Sequence, residues 1–319
     1  MKRIIIYCLV TFTITYAYSF AIVYPMYNQV MLGLGSEITL TMLIAAVMFF
    51  PSLGVIITRI ITKEGFKQAN IKPQQLRKTF QYYLLGWFGP MLLIAFGAAV
   101  YYLIYPGDFD PSMSVMLEQL RTQLAAVGAE QLSPDAARGM FITQLAIGVL
   151  AAPILNFVTC FGEEWGWRGY LLPKVNEHLA FIPTILVTGV IWGLWHAPLT
   201  AIGHNYGLDY PGFPWLGILT MCGFCTAAGT FLSYLTIKSK SCIPAALAHG
   251  SINGFAAVGL YFSASMGNPF IGPSAVGVLG GSGLIIAAVV ICLRLRIEPL
   301  WPSANTQDNH VQKPPPSTC

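Results

Sequence analysis

Eight apolar stretches, each of about 20 residues or more, punctuate the chain. They run over 4–24, 38–61, 80–105, 141–161 (open to continuation as far as 172), 181–202, 214–237, 242–264 and 272–293. At 1.5 Å of rise per residue, such lengths span the hydrocarbon core of a bilayer as helices. Only 9% of the residues are charged and 55% are hydrophobic, where a soluble globular domain carries roughly 25% charge. The expected fold is therefore all-α: a polytopic membrane protein with about eight transmembrane helices. The start, MKRIIIYCLVTFTITYAYSFAIVY, is too long for a signal-peptide core and lacks a small-x-small cleavage site, so it reads as a retained first span. A formal charge of +4, spread along the chain, gives no case for nucleic acid. Seven cysteines, mostly inside apolar runs, do not form the pattern of a disulfide framework.

The spans divide the chain into three parts. Residues 1–140 hold three spans and a polar insert, 106–140, in which Met116, Leu120 and Leu124 recur at helical spacing and predict an amphipathic helix. Residues 141–298 hold the remaining five spans. Residues 299–319 are polar and Pro-rich and are expected to be a disordered cytoplasmic tail. With eight spans and the N-terminus inside, 15 of the 17 Lys and Arg residues fall on the cytoplasmic side, leaving only Arg121 and Arg138 outside, as the positive-inside rule requires. This predicts an integral protein of the plasma or inner membrane with both termini cytoplasmic, and makes the 106–140 insert extracytoplasmic.

Ionisable side chains in spans cost about 2.5–3.5 kcal/mol each on insertion scales, so each marks a candidate site. CFGEEWGWRGYLLP, residues 160–173, holds Glu163, Glu164 and Arg168; GVIWGLWHAPL holds His196; ALAHGSINGF holds His249 and Asn253. Residues four apart share a helix face, whereas neighbours point about 100° apart. Glu164 can therefore pair with Arg168, and Glu163 is left without that partner, free to serve as a general base. His249 and Asn253, also four apart, can present two hydrogen-bonding groups to one spot. Counting helical rise from the cytoplasmic ends puts Glu163, His196 and His249 about 14, 20 and 10 Å deep, which suits one cavity formed by the later spans.

Blander readings apply to each residue singly. His196 could be a packed histidine bonded to a carbonyl, the Glu–Arg pair a helix-end device, and His249 with Asn253 interhelical polar glue. Cys222 and Cys225 form a CGFC that within one helix reads as small packing residues; His178, His204 and His310 lie in loops or the tail. Gly277 and Gly281 fit a close helix crossing. No phosphate loop, HExxH or GxSxG is present.

Taken together, these residues resemble the CPBP family of intramembrane proteases, which includes the type II CAAX prenyl endopeptidases and bacteriocin-processing and immunity proteins. The family's EExxxR motif is matched by Glu163, Glu164 and Arg168. Its FxxxH is matched by Trp192 to His196, with Trp for Phe as a conservative aromatic swap. Its HxxxN is matched by His249 and Asn253. The resemblance covers about 145–265.

It implies hydrolysis of a peptide bond within the membrane. Glu163 and His196 would activate water, His249 and Asn253 would stabilise the oxyanion, and Glu164 and Arg168 would play supporting parts. A glutamate-activated water needs no metal, so no cofactor is expected; if zinc were bound, Glu163, His196 and His249 would be its ligands. The expected partners are membrane lipid and a peptide or membrane-protein terminus, possibly prenylated. The chain itself ends STC, without the cysteine of a CAAX substrate. The alternatives are a proton-coupled transporter, which would call for an inverted repeat that the sequence does not show, and a non-catalytic immunity protein of the same fold.

Overall fold

The computed structural model describes residues 1–66, 70–126 and 133–295, so the expected tail at 299–319 lies outside the described residues. The elements in chain order are α1 (Lys2–Met31) and α2 (Glu37–Thr62), α3 (Leu76–Ile104), α4 (Ser114–Ala126), α5 (Pro134–Leu155) and α6 (Phe157–Gly166), then α7 (Phe181–Trp195), α8 (Trp215–Ser239), α9 (Ile243–Phe255) and α10 (Ser282–Leu295). No strand occurs among the described residues. Six helical segments are long and apolar enough to cross a membrane, and α7 and α10 are shorter apolar helices. The fold is an all-α polytopic membrane protein, with a helix at each of the eight expected places.

Two boundaries differ from the sequence expectation. The eighth stretch is helical only from Ser282; residues 272–281 form turns, with Val278 and Leu279 amides bonded to the Phe270 and Ile271 carbonyls. Their apolarity reflects burial: Ala275 is fully covered and Val276 nearly so. Gly277 and Gly281 accordingly make no helix crossing. They sit inside this turn region, where a Cβ on either would strike backbone of 271–277. The close crossing lies instead between α7 and α8, where a Cβ on Gly189 would come within 2.6 Å of Thr226 Cα. The fifth stretch also stops early. Its helix ends at Trp195, and His196 is the C-cap residue leading into a short turn, Ala197–Thr200.

The fourth stretch is broken and resumed. Asn156 closes α5 and opens α6, its side chain bonding the carbonyls of Ala152 (3.0 Å) and Gly250 (3.4 Å). After α6 the chain continues through a π-turn, Trp167–Leu171, to Asn176. Helix α6 packs between α2 and α9, and α8 lies against α7, α9, α10 and α3. One hydrophobic core runs through both halves, from Tyr7, Val23 and Val55 to Trp192, Leu232 and Leu284.

The insert forms the expected amphipathic helix, α4. Met113 and Leu117 are buried with Phe141, and Met116 and Leu120 pack against them; the side chain of Leu124 is outside what is described. Asp108 stitches the insert to the loop after α9. Its carboxylate accepts hydrogen bonds from Tyr101 (3.0 Å) and Ser263 (2.8 Å), and its carbonyl accepts one from the Ala264 amide (2.9 Å). Beside it, the hydroxyls of Ser112 and Ser114 hold the Asp110 carboxyl well below the usual carboxylate range. Removing one carboxylate that takes two side-chain donors costs about 1–3 kcal/mol. Asp108→Ala is therefore expected to lower the melting temperature in detergent by several degrees and to speed proteolysis within 106–140.

Candidate active site

Helix α6 carries two adjacent carboxylates that face different partners, as a 100° step requires. The second, Glu164, is fully buried. Its Oε1 accepts from Arg168 Nη1 at 3.0 Å, the pair four residues apart that the spacing predicts, and from His249 Nδ1 at 2.8 Å. The first, Glu163, is also buried. Its Oε2 accepts from two indole N–H groups, Trp192 Nε1 at 2.9 Å and Trp167 Nε1 at 3.3 Å. Among the described residues Glu163 thus accepts hydrogen bonds from neutral donors only.

Helix α9 runs along α6 in register. His249 stands opposite Glu164, and one turn further on Asn253 Nδ2 lies 3.6 Å from Cys160 Sγ, one turn before Glu164 on α6. The two side chains therefore occupy one face yet differ in setting: His249 is buried and Asn253 exposed. The end of α7 supplies the third side. His196 is half-buried, its Nδ1 2.9 Å from the Trp192 carbonyl and 3.7 Å from Cys225 Sγ. Trp192 lies among all of these. Arg168 Cζ is 4.1 Å from its ring centroid, and the rings of His249 and His196 are 5.4 and 5.7 Å away.

The expected residues are thus brought together from α6, α7 and α9, although as a packed cluster in which Glu163, Glu164, Arg168 and His249 are each 5% exposed or less. Two cavities, of about 980 Å³ beside Arg121 and Arg138 and about 370 Å³ beside Cys222 and Thr226, lie at other places. Among the described residues no three His, Cys, Asp or Glu side chains are grouped so as to hold a metal ion. Glu163, His196 and His249, the residues that zinc would call for, do not form such a group.

Residues 143–255 match the model of a family described as type II CAAX prenyl endopeptidase Rce1-like. That part of the chain is similar to this family. A stretch of 93 residues is also 28% identical to CAAX prenyl protease 2 of Methanococcus maripaludis, covering 28% of this chain and 34% of that protein. The match thus spans about a third of the relative's length. All six candidate residues, and both indole donors, fall within the matched segment.

Sequence reasoning missed three contributors. Trp167 is four residues after Glu163, the same spacing that exposed the Glu164–Arg168 pair. Trp192 is visible as the first letter of a motif, where it looks like a neutral replacement of Phe, whereas its N–H bonds a carboxylate that a phenyl ring could not. Gly229 on α8 had no local signal: a Cβ there would lie 2.6 Å from Arg168 Nη2. An exposed arginine would swing away from such a contact, but this one is held by Glu164 and by the face of Trp192. Gly229→Ala should therefore weaken the buried pair by about 1–3 kcal/mol, read as a lower melting temperature in detergent, while Gly223→Ala on the same helix, with open space around it, should change little.

Proposed function

We propose that the chain is a CAAX-type intramembrane endopeptidase, hydrolysing a peptide bond near the end of a protein or peptide in the membrane, with the site toward the cytoplasm. The observation that carries this reading is the division of labour between adjacent carboxylates: Glu164 is consumed by Arg168 and His249, and Glu163 has only neutral donors on one oxygen. A carboxylate with a spare oxygen, and only neutral hydrogen-bond donors on the other, is suited to take a proton from water.

The histidines divide in the same way. A carbonyl oxygen only accepts, so His196 Nδ1, facing the Trp192 carbonyl, carries a proton and leaves Nε2 as the basic nitrogen. His249 Nδ1 donates to Glu164, which leaves its Nε2 for the substrate; with that nitrogen also protonated, the imidazolium and Arg168 are balanced by Glu164 and Glu163 together. In this reading Glu163, assisted by His196, takes a proton as the water oxygen attacks the scissile carbonyl. The developing oxyanion receives hydrogen bonds from His249 Nε2 and the Asn253 amide. The C–N bond then breaks, and the proton held at Glu163 passes to the departing amine.

The test is cleavage of a fluorogenic farnesylated CAAX peptide and its unprenylated twin by detergent-purified protein. Glu163→Gln, His196→Ala and His249→Ala should each reduce turnover about 10²- to 10⁴-fold, the usual worth of a general acid–base group, with elution on gel filtration unchanged. Full turnover in any of the three would sink the assigned roles. Turnover abolished by a chelator and restored by zinc would replace the metal-free mechanism with a metal-dependent one.

A further inference from the structure

Glu163 and Glu164 are sequence neighbours whose side chains diverge, yet a continuous line of contacts joins them. Glu164 Oε1 holds Arg168 at 3.0 Å. The Arg168 guanidinium lies over the Trp192 ring at 4.1 Å, a cation–π contact in a buried setting. The same ring's N–H donates to Glu163 Oε2 at 2.9 Å. Gly229 closes the far side, since a Cβ there would meet both Arg168 Nη2 (2.6 Å) and Trp192 Cε3 (3.6 Å). The ring is 2% exposed and has the Nε1 bond as its polar anchor.

This line makes Glu163 asymmetric. Oε2 takes both indole donors, while Oε1 accepts no hydrogen bond from the described residues and is not among the buried, unpartnered atoms. We infer that Trp192 is a positioning residue that, clamped by Arg168, fixes Oε2 and so presents Oε1 of Glu163 as the atom that receives the proton of the attacking water. The inference rests on the peptidase reading above. A tryptophan that only filled space would need neither the N–H nor the stacked cation; here both are engaged, on opposite carboxylates.

Trp192→Phe keeps a ring for Arg168 and removes the N–H. It is expected to lower kcat on the farnesylated peptide about 10- to 100-fold, the value of a hydrogen bond to a charged group, with KM within about twofold. Arg168→Lys should lower kcat in the same way, and the double variant should lose little more than the worse single one, because both act on one contact. Independent, multiplicative losses, or a change confined to KM, would overturn the inference. The clamp is also read without turnover. In protein labelled with 5-fluorotryptophan, the Trp192 resonance, assigned by its loss in Trp192→Phe, should shift in Glu163→Ala and in Arg168→Lys, and less in Glu163→Gln. An unmoved resonance would remove the clamp even if cleavage were intact. Wild-type protein inactive on every peptide would instead fail the peptidase reading, and with it the role of Oε1, whatever the fluorine shifts show.

Discussion

The second half of the molecule is organised around the Glu164 carboxylate, because an ion enclosed in an apolar helix bundle cannot stand alone. The desolvation cost is several kcal/mol per buried ion after relaxation. It is offset here by two charge-assisted partners on one oxygen, Arg168 and His249, while the other oxygen, Oε2, is buried with no hydrogen bond among the described residues. Such a centre tolerates little displacement, since loss of either partner removes one of the two charge-assisted bonds on its one hydrogen-bonded oxygen. It therefore fixes three things together: the π-turn that carries Arg168, the register of α9 on α6, and the plane of the Trp192 ring beneath the guanidinium.

The first half bears on the same centre although the family match begins only at residue 143. Tyr7 packs edge-on against Trp167 (5.8 Å) and beside Tyr170 (5.3 Å). Trp195 donates to Thr15 at 2.7 Å and packs on Trp167 at 5.6 Å. At the end of α2, Glu64 accepts from Tyr170 (2.6 Å) and pairs with Arg3 (3.2 Å). Both flanks of the π-turn are thus held by α1 and α2, and the indole that reaches Glu163 from Trp167 is backed by the first span.

What could be read from sequence follows from the range of the interaction. Hydropathy located a helix at each of the eight stretches, since an apolar run is a local property, and spacing of four identified the Glu164–Arg168 pair because both ends lie on one helix. Hydropathy also extended the eighth span over 272–281, because burial inside protein and burial in lipid demand the same side chains. His249 on Glu164 and Trp192 on Glu163 join residues 85 and 29 positions apart, and no periodicity reports such a meeting. Only the order of short motifs hinted at it, and a motif letter records residue type without saying which atom is used.

That last point bears on the Trp at position 192. Judged by volume and hydropathy, an indole in place of a phenyl is a minor exchange. In an apolar bundle the difference lies in one polar hydrogen, and a buried donor must find an acceptor or cost about 1–3 kcal/mol. Once the N–H is present, the carboxylate of Glu163 satisfies it, and the donor in return constrains how that carboxylate can rotate. Arg168 above the ring then links the orientation of one glutamate to the ion pair of the other. The pair EE in the sequence is thus two chemically distinct groups, separated by a helical step of 100° and coupled again through a tryptophan from another helix.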